Sequence, residues 1–160
     1  MVQPSAATIA KQINYDPTRA ADGSLTIAVQ ALSNAYGLEW GKQLTAGIRT
    51  DTGATNGTGV DSGAAGTVGL QAWLHVTAFT GTDVTIKLQE SSDDGSGDAY
   101  ADVTGGAFTQ VTSGPTSERI ATSASQAVEQ YLRVVTTTTG GFSSLSFAVM
   151  VNINATATVF

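Results

Sequence analysis

The sequence contains no cysteine, so neither disulfides nor thiolate metal sites support its fold. His75 is its single histidine, which argues against a metal centre of the common histidine-containing types. Charged residues make up only 12% of the chain, about half the usual share, and no run of Lys or Arg occurs. With a net charge of −6, the chain lacks the basic surface that specific nucleic-acid binding needs.

Long apolar runs are also missing. None approaches the roughly 18–20 residues of a membrane span, so we expect no membrane partner. No basic segment leads into an apolar core and a cleavage site, so we expect no classical export signal.

The motifs of common enzyme classes are absent too. No G-x-S-x-G elbow surrounds any serine, and no glycine-rich turn with a following lysine forms a phosphate loop. We therefore expect a non-enzymatic protein without catalytic residues, metals or cofactors.

What the chain does contain is strict alternation of apolar and polar residues, the period of a half-buried strand. In the first run, one face carries Leu70, Ala72, Leu74, Val76 and Ala78, and the other carries Gln71, Trp73, His75, Thr77 and Phe79. After the turn at residues 80–82, the apolar face continues with Val84, Ile86 and Leu88. We interpret these runs as one hairpin.

A second pair of runs flanks the turn sequence TTTTGG. Leu132 and Val134 precede it, and Leu145, Phe147, Val149, Val151 and Ile153 follow it on one face. We interpret this pair as a second hairpin. The predicted core is Leu70, Leu74, Val76, Val84, Ile86, Leu88, Leu132, Val134, Phe147, Val149 and Val151.

These patterns predict an all-β protein, an antiparallel β-sandwich of the immunoglobulin-like or jelly-roll kind, with eight to ten short strands. We expect an extended N-terminal arm at residues 1–21, because that segment is aperiodic. Short strands and a Gly/Thr-rich loop should occupy residues 22–66, either as part of the sandwich or outside it, and the main sandwich residues 67–160. A disordered tail is the alternative interpretation of the arm.

One acidic loop resembles a calcium-binding loop in spacing. Asp94, Ser96 and Asp98 take the first, third and fifth positions, and Asp102 takes the ninth. However, Ala99 and Gly105 stand where the turn glycine and the bidentate glutamate belong. A solvated hairpin loop is the better interpretation, with Asp94, Asp98 and Asp102 kept as weak metal-site candidates.

Large apolar and aromatic residues outside the predicted core are candidates for an assembly interface. These are Ile13, Tyr15, Tyr36, Trp40, Trp73 and Phe79. Trp40 is interpreted as a core or interface residue rather than a ligand platform, since large aromatics mostly serve packing. Ile13 and Tyr15 favour an arm that docks on a neighbour.

Three stretches carry a resemblance to a known family: residues 15–47, residues 72–105 and residues 130–154. Together they resemble the C-terminal part of tailed-bacteriophage tail proteins, in which a β-sandwich is appended to a tail-tube module. The resemblance implies a virion structural protein, assembled in the host cytoplasm, that forms homo-oligomers and contacts other tail or capsid proteins.

Two alternatives stay open. Small acidic β-rich proteins with docking arms also decorate phage capsids. A carbohydrate-binding module is the second alternative, because sandwiches with exposed Trp and Tyr often hold sugars, and it requires those aromatics to cluster.

Overall fold

A computed structural model describes residues 4–33 and 36–156, which form thirteen β-strands. The strands are β1 (Pro4–Ala7), β2 (Ala10–Arg19), β3 (Leu25–Ser33), β4 (Glu39–Gln43), β5 (Arg49–Asp51), β6 (Thr55–Asn56), β7 (Val60–Asp61), β8 (Leu70–Gly81), β9 (Thr85–Ser91), β10 (Ala101–Ala107), β11 (Thr116–Ala121), β12 (Tyr131–Thr137) and β13 (Phe142–Ile153). Within these two described ranges no helix is long and apolar enough to cross a membrane. The predicted all-β class with antiparallel sheets is confirmed.

The chain divides into two compact units. Ala6–Trp40 forms one unit, built on the two-stranded sheet β2-β3, which we call the ribbon. Residues 41–156, together with Pro4 and Ser5, form the other, which we call the sandwich. The predicted limits at residues 21 and 66 therefore do not match these units, because part of the expected arm is a strand paired with β3.

The sandwich contains two antiparallel sheets. The first has the order β1-β4-β13-β8-β11, with β5 also paired to β13. The second has the order β10-β9-β12-β6, with β7 also paired to β12. The Gly/Thr-rich stretch expected to be a loop within residues 22–66 therefore includes β6, β7 and the end of β5.

Neither predicted hairpin is a hairpin. β8 belongs to the first sheet and β9 to the second, so the turn between them crosses the sandwich. The connection from β12 to β13 crosses in the same way, and each of these strands pairs with a strand from the other crossing, β8 with β13 and β9 with β12. The same residues face the core whether two successive strands pair as a hairpin or lie in opposite sheets, so alternation alone could not distinguish the two arrangements.

The core lies between the two sheets. All eleven predicted core residues are at most 2% exposed. Leu44, Ala72, Val103, Phe108, Val111, Val128 and Leu145 complete the buried cluster. The predicted parity of β9, β12 and β13 is therefore confirmed.

The predicted alternation of inward and outward residues fails at the end of β8. Val76 pairs with Phe147 and Ala78 with Ser146, so Thr77 is an extra residue in the ladder. Such a bulge re-aims the residues that follow it. Ala78 is consequently exposed, and Phe79 packs against the core, with its ring centroid 6.3 Å from that of Phe142.

One carboxylate links the two crossing connections. Asp83, between β8 and β9, accepts the backbone N–H of Thr139 at 2.9 Å and that of Gly140 at 2.7 Å. The hydroxyls of Thr138 and Thr139 also donate to it, each at 3.1 Å. The Thr139 N–H makes the largest contribution to holding the pKa of Asp83 below its ordinary value.

Truncation of the core should lower stability. We expect Leu74→Ala or Phe147→Ala to reduce the free energy of unfolding by about 2–5 kcal/mol, because each leaves a cavity between the sheets. Ile48→Ala is the matched control, since Ile48 is 62% exposed in the same unit, and it should change stability by less than about 0.5 kcal/mol. Urea unfolding followed by circular dichroism measures both. Equal effects at buried and exposed positions would contradict this core.

Replacing Asp83 should give a pH-dependent loss of stability. Because its pKa is lowered in the folded state, Asp83 stabilises the protein above its unfolded pKa of about 3.9 and loses this effect as pH falls through the folded value. Asp83→Asn should therefore melt below wild type at pH 7, and the difference should shrink below pH 4. A difference in melting temperature that is constant from pH 7 to pH 3 would contradict this role.

Candidate assembly interface

The ribbon is the part of the chain with the most exposed apolar surface. β2 and β3 pair antiparallel, with Tyr15 opposite Val29, Pro17 opposite Ile27 and Arg19 opposite Leu25. Directly opposed residues lie on the same face of a sheet. Every residue of both strands is exposed.

One face of this ribbon is apolar. It carries Tyr15 at 56% exposure, Leu25 at 61%, Ile27 at 44% and Val29 at 58%. The opposite face carries polar pairs such as Thr18 with Thr26 and Asn14 with Gln30. A contiguous apolar face of this kind, rimmed by polar residues, is typical of a protein interaction surface.

Local chemistry explains the turn of the ribbon. Gly23 adopts a φ of 88°, which favours glycine, and the Asp22 carboxylate accepts the N–H of Ser24 at 2.9 Å. Asp22-Gly23 is a recognised hairpin turn signal, and it marks the ribbon in the sequence. β2 itself gives no alternation, because its register shifts between Gln12 and Asn14 and Pro17 interrupts the pattern.

The predicted interface residues separate into three groups. Ile13, Tyr15 and Trp40 are exposed, by 51%, 56% and 66%. Tyr36 is half-buried, and its carbonyl accepts hydrogen bonds from Thr8 and Ser33.

Trp73 and Phe79 do not belong on an exposed interface. Trp73 is only 3% exposed and lies under the Arg119 guanidinium, whose carbon is 5.6 Å from the ring centroid. Phe79 is half-buried, turned towards the core by the bulge in β8. Alternation predicted both as outward-facing, but it does not show what covers an outer face.

Each carboxylate of the acidic loop has its own partner. Asp94 accepts the Tyr100 hydroxyl at 2.6 Å, Asp98 accepts the Ser92 N–H at 2.8 Å, and Asp102 accepts the Lys87 ammonium at 2.6 Å. Bonding to the Ser92 N–H and to Lys87 lowers the pKa of Asp98 and of Asp102. Across residues 4–33 and 36–156, no three His, Asp or Glu side chains converge as a metal site.

A ladder of polar side chains extends from this loop across the outer face of the second sheet. Asp102 also accepts the Gln89 amide at 2.7 Å, and the Gln89 carbonyl accepts Arg133 at 2.7 Å and 2.9 Å. The Arg133 guanidinium then stacks over the Tyr100 ring, 4.1 Å from its centroid. Burial, followed by the bond to Asp94, raises the pKa of Tyr100. These polar groups are hydrogen-bond partners of one another, so the ladder links β9, β10 and β12.

An open cleft of about 880 Å³ lies at one edge of the sandwich, between residues 43–49 and 55–60. Arg49, which lines the cleft, forms two bonds to the Asp51 carboxylate, at 2.6 Å and 2.9 Å, and donates to the Val134 carbonyl. Thr136 donates to Asp51 from the second sheet. The charged pair thus bridges the two sheets.

His75 makes a contact of the kind that a nucleophile makes with its base. Its Nδ1 lies 2.9 Å from the Ser117 hydroxyl on the adjacent strand. No carboxylate among the described residues hydrogen-bonds the ring, so the pair has no orienting acid among them.

Comparison with protein-family models, with curated proteins and with solved structures found no match to this chain. The ribbon therefore remains the candidate functional site on its own geometry: an exposed apolar face in a unit distinct from the sandwich.

Calcium should have no effect on the acidic loop. We expect Asp94→Asn with Asp98→Asn to change the melting temperature equally with and without calcium, because the two carboxylates are bound to separate groups of the protein. Thermal melts of wild type and variant in calcium and in chelator test this. A calcium-dependent rise for wild type alone would show a site, since a ligand specific to the folded state stabilises it.

Proposed function

We propose that this chain is a structural subunit of a tailed-bacteriophage virion, assembling as a homo-oligomer in the tail tube or on the tail. The observation that carries the proposal is the exposed apolar face of the ribbon. A two-stranded ribbon is marginal in water by itself and gains stability when its apolar face is covered. A subunit that assembles can provide that cover.

The composition supports the same proposal. Low charge suits a protein whose surface becomes interface, and a net charge of −6 suits a particle that contains DNA without holding on to it. The resemblance of residues 15–47, 72–105 and 130–154 to tail proteins supplies the virion context.

Capsid decoration is the second candidate, since an apolar ribbon serves equally to dock on a preformed lattice. The carbohydrate-binding alternative loses two of its aromatics, because Trp73 is buried and Phe79 packs against the core.

Electron microscopy of the purified full-length protein tests the proposal. We expect rings or tubes for a tail protein and discrete small oligomers for a decoration protein. The variant Tyr15→Ser, Ile27→Ser, Val29→Ser removes the apolar face and should abolish these assemblies while leaving the melting of the sandwich unchanged. The matched control is Asn14→Ser with Gln30→Ser, on the opposite face of the ribbon. Assemblies that persist in the triple variant would contradict this role of the ribbon.

A further inference from the structure

The outer edge of β3 is an unguarded strand edge. β3 pairs with β2 on one side, and no other described strand pairs with it on the other. Its nine residues, LTIAVQALS, include no charged residue, no proline and no glycine. An exposed, regular edge of this composition is a template for pairing with another chain.

β2 differs from β3 in its charged residues, its proline and its register. It contains Lys11, Asp16, Pro17 and Arg19, and its register is interrupted between Gln12 and Asn14. Charges, proline and bulges are the devices by which strand edges avoid pairing. The ribbon therefore has one guarded edge and one open edge.

We propose that β3 of one copy pairs antiparallel with β3 of a second copy, giving a four-stranded sheet in the order β2-β3-β3-β2. This inference rests on the proposed self-assembly and identifies one of its contacts, because a two-fold contact alone closes on a dimer and a ring or tube needs a second contact. The pairing is isologous, so a two-fold axis relates the copies. It satisfies the open backbone groups of both edges and joins two small apolar faces into one larger face.

The charge distribution identifies a second copy as the occupant. The strand pair β2-β3, residues 10–33, has a net charge of zero, because Lys11 and Arg19 balance Asp16 and Asp22. With Glu39, the whole ribbon unit Ala6–Trp40 carries −1, so −5 of the net charge of −6 lies outside it. Two copies repel each other through their sandwiches, and the nearly neutral ribbon is the surface through which they can approach.

Parity restricts the register of this pairing. Leu25, Ile27 and Val29 of both copies lie on the same face of the joined sheet only if odd-numbered residues of one β3 stand directly opposite odd-numbered residues of the other. A shift by one residue would place apolar side chains opposite polar ones on both faces. Val29 thus faces an odd-numbered residue of the second copy, on the apolar face.

Paired lysine substitutions test the edge with a matched control. Thr26→Lys with Gln30→Lys guards β3, and Thr18→Lys with Asn14→Lys adds the same charge at the directly opposed positions of β2. In sedimentation equilibrium of the full-length protein, we expect the β3 variant to raise the dimer dissociation constant about tenfold or more, because like charges then meet across the seam. The β2 variant should dimerise like wild type.

Cysteine cross-linking provides a second measurement, which the absence of native cysteines makes specific. Val29→Cys should cross-link between copies with a short bis-maleimide, because it lies beside the seam. Tyr15→Cys, opposite Val29 within the ribbon, should not, because the two β2 strands lie three strand spacings or about 14 Å apart.

Any of the following results would overturn edge pairing. One is a protein that stays monomeric at all concentrations. Another is equal weakening by the β2 and β3 lysine pairs, or equal cross-linking at both cysteine positions. The last is oligomers that survive the β3 lysines but not the Tyr15→Ser, Ile27→Ser, Val29→Ser variant, which would keep the proposed assembly function and place the contact on the ribbon face.

Discussion

The sandwich depends on two connections that pass from one sheet to the other. Because β8 leads into β9 and β12 into β13 across the core, each sheet holds one strand of each pair at its centre. Asp83 joins the two crossings through four hydrogen bonds to residues 138–140. The inward-facing apolar side chains of β13, from Leu145 to Val151, then pack against β9 and β12. At the edge of the sandwich that carries the cleft, the Arg49–Asp51 pair bridges the sheets in a comparable way, bonded to Val134 and Thr136. Polar links at the rim thus supplement an apolar layer in the middle.

The core could be predicted from the sequence because burial in a sandwich follows the period of a strand. Leu74, Ile86 and Phe147 needed only their parity to be placed correctly. The sheet to which each strand belongs could not be predicted in that way, since β8 and β9 turn the same face inward whether they pair or cross. Parity also failed where an extra residue entered the ladder, at Thr77. That bulge leaves no mark in the sequence, because residues 77–79 include no glycine or proline.

The ribbon shows the opposite limitation. Its β3 was predicted as a strand, yet its partner was predicted as an aperiodic arm. The irregularities that hid β2, namely Pro17 and the register shift after Gln12, are the same features that guard its edge. The features that protect the edge of β2 therefore caused this strand to be missed in the sequence. Similarly, Trp73 was assigned to a surface because its position alternates outward, and only the structure shows its ring beneath Arg119.

The two tryptophans have a practical consequence that follows from the division of the chain. Trp40 belongs to the ribbon unit and is 66% exposed, whereas Trp73 belongs to the sandwich and is 3% exposed. Their indole rings experience water and protein interior respectively, so their fluorescence emission should differ in wavelength. Replacing either one by Phe would leave a single optical reporter, of the ribbon's surroundings in one case and of the sandwich core in the other. Fluorescence of Trp40 would therefore report association through the ribbon, and fluorescence of Trp73 would report unfolding of the sandwich.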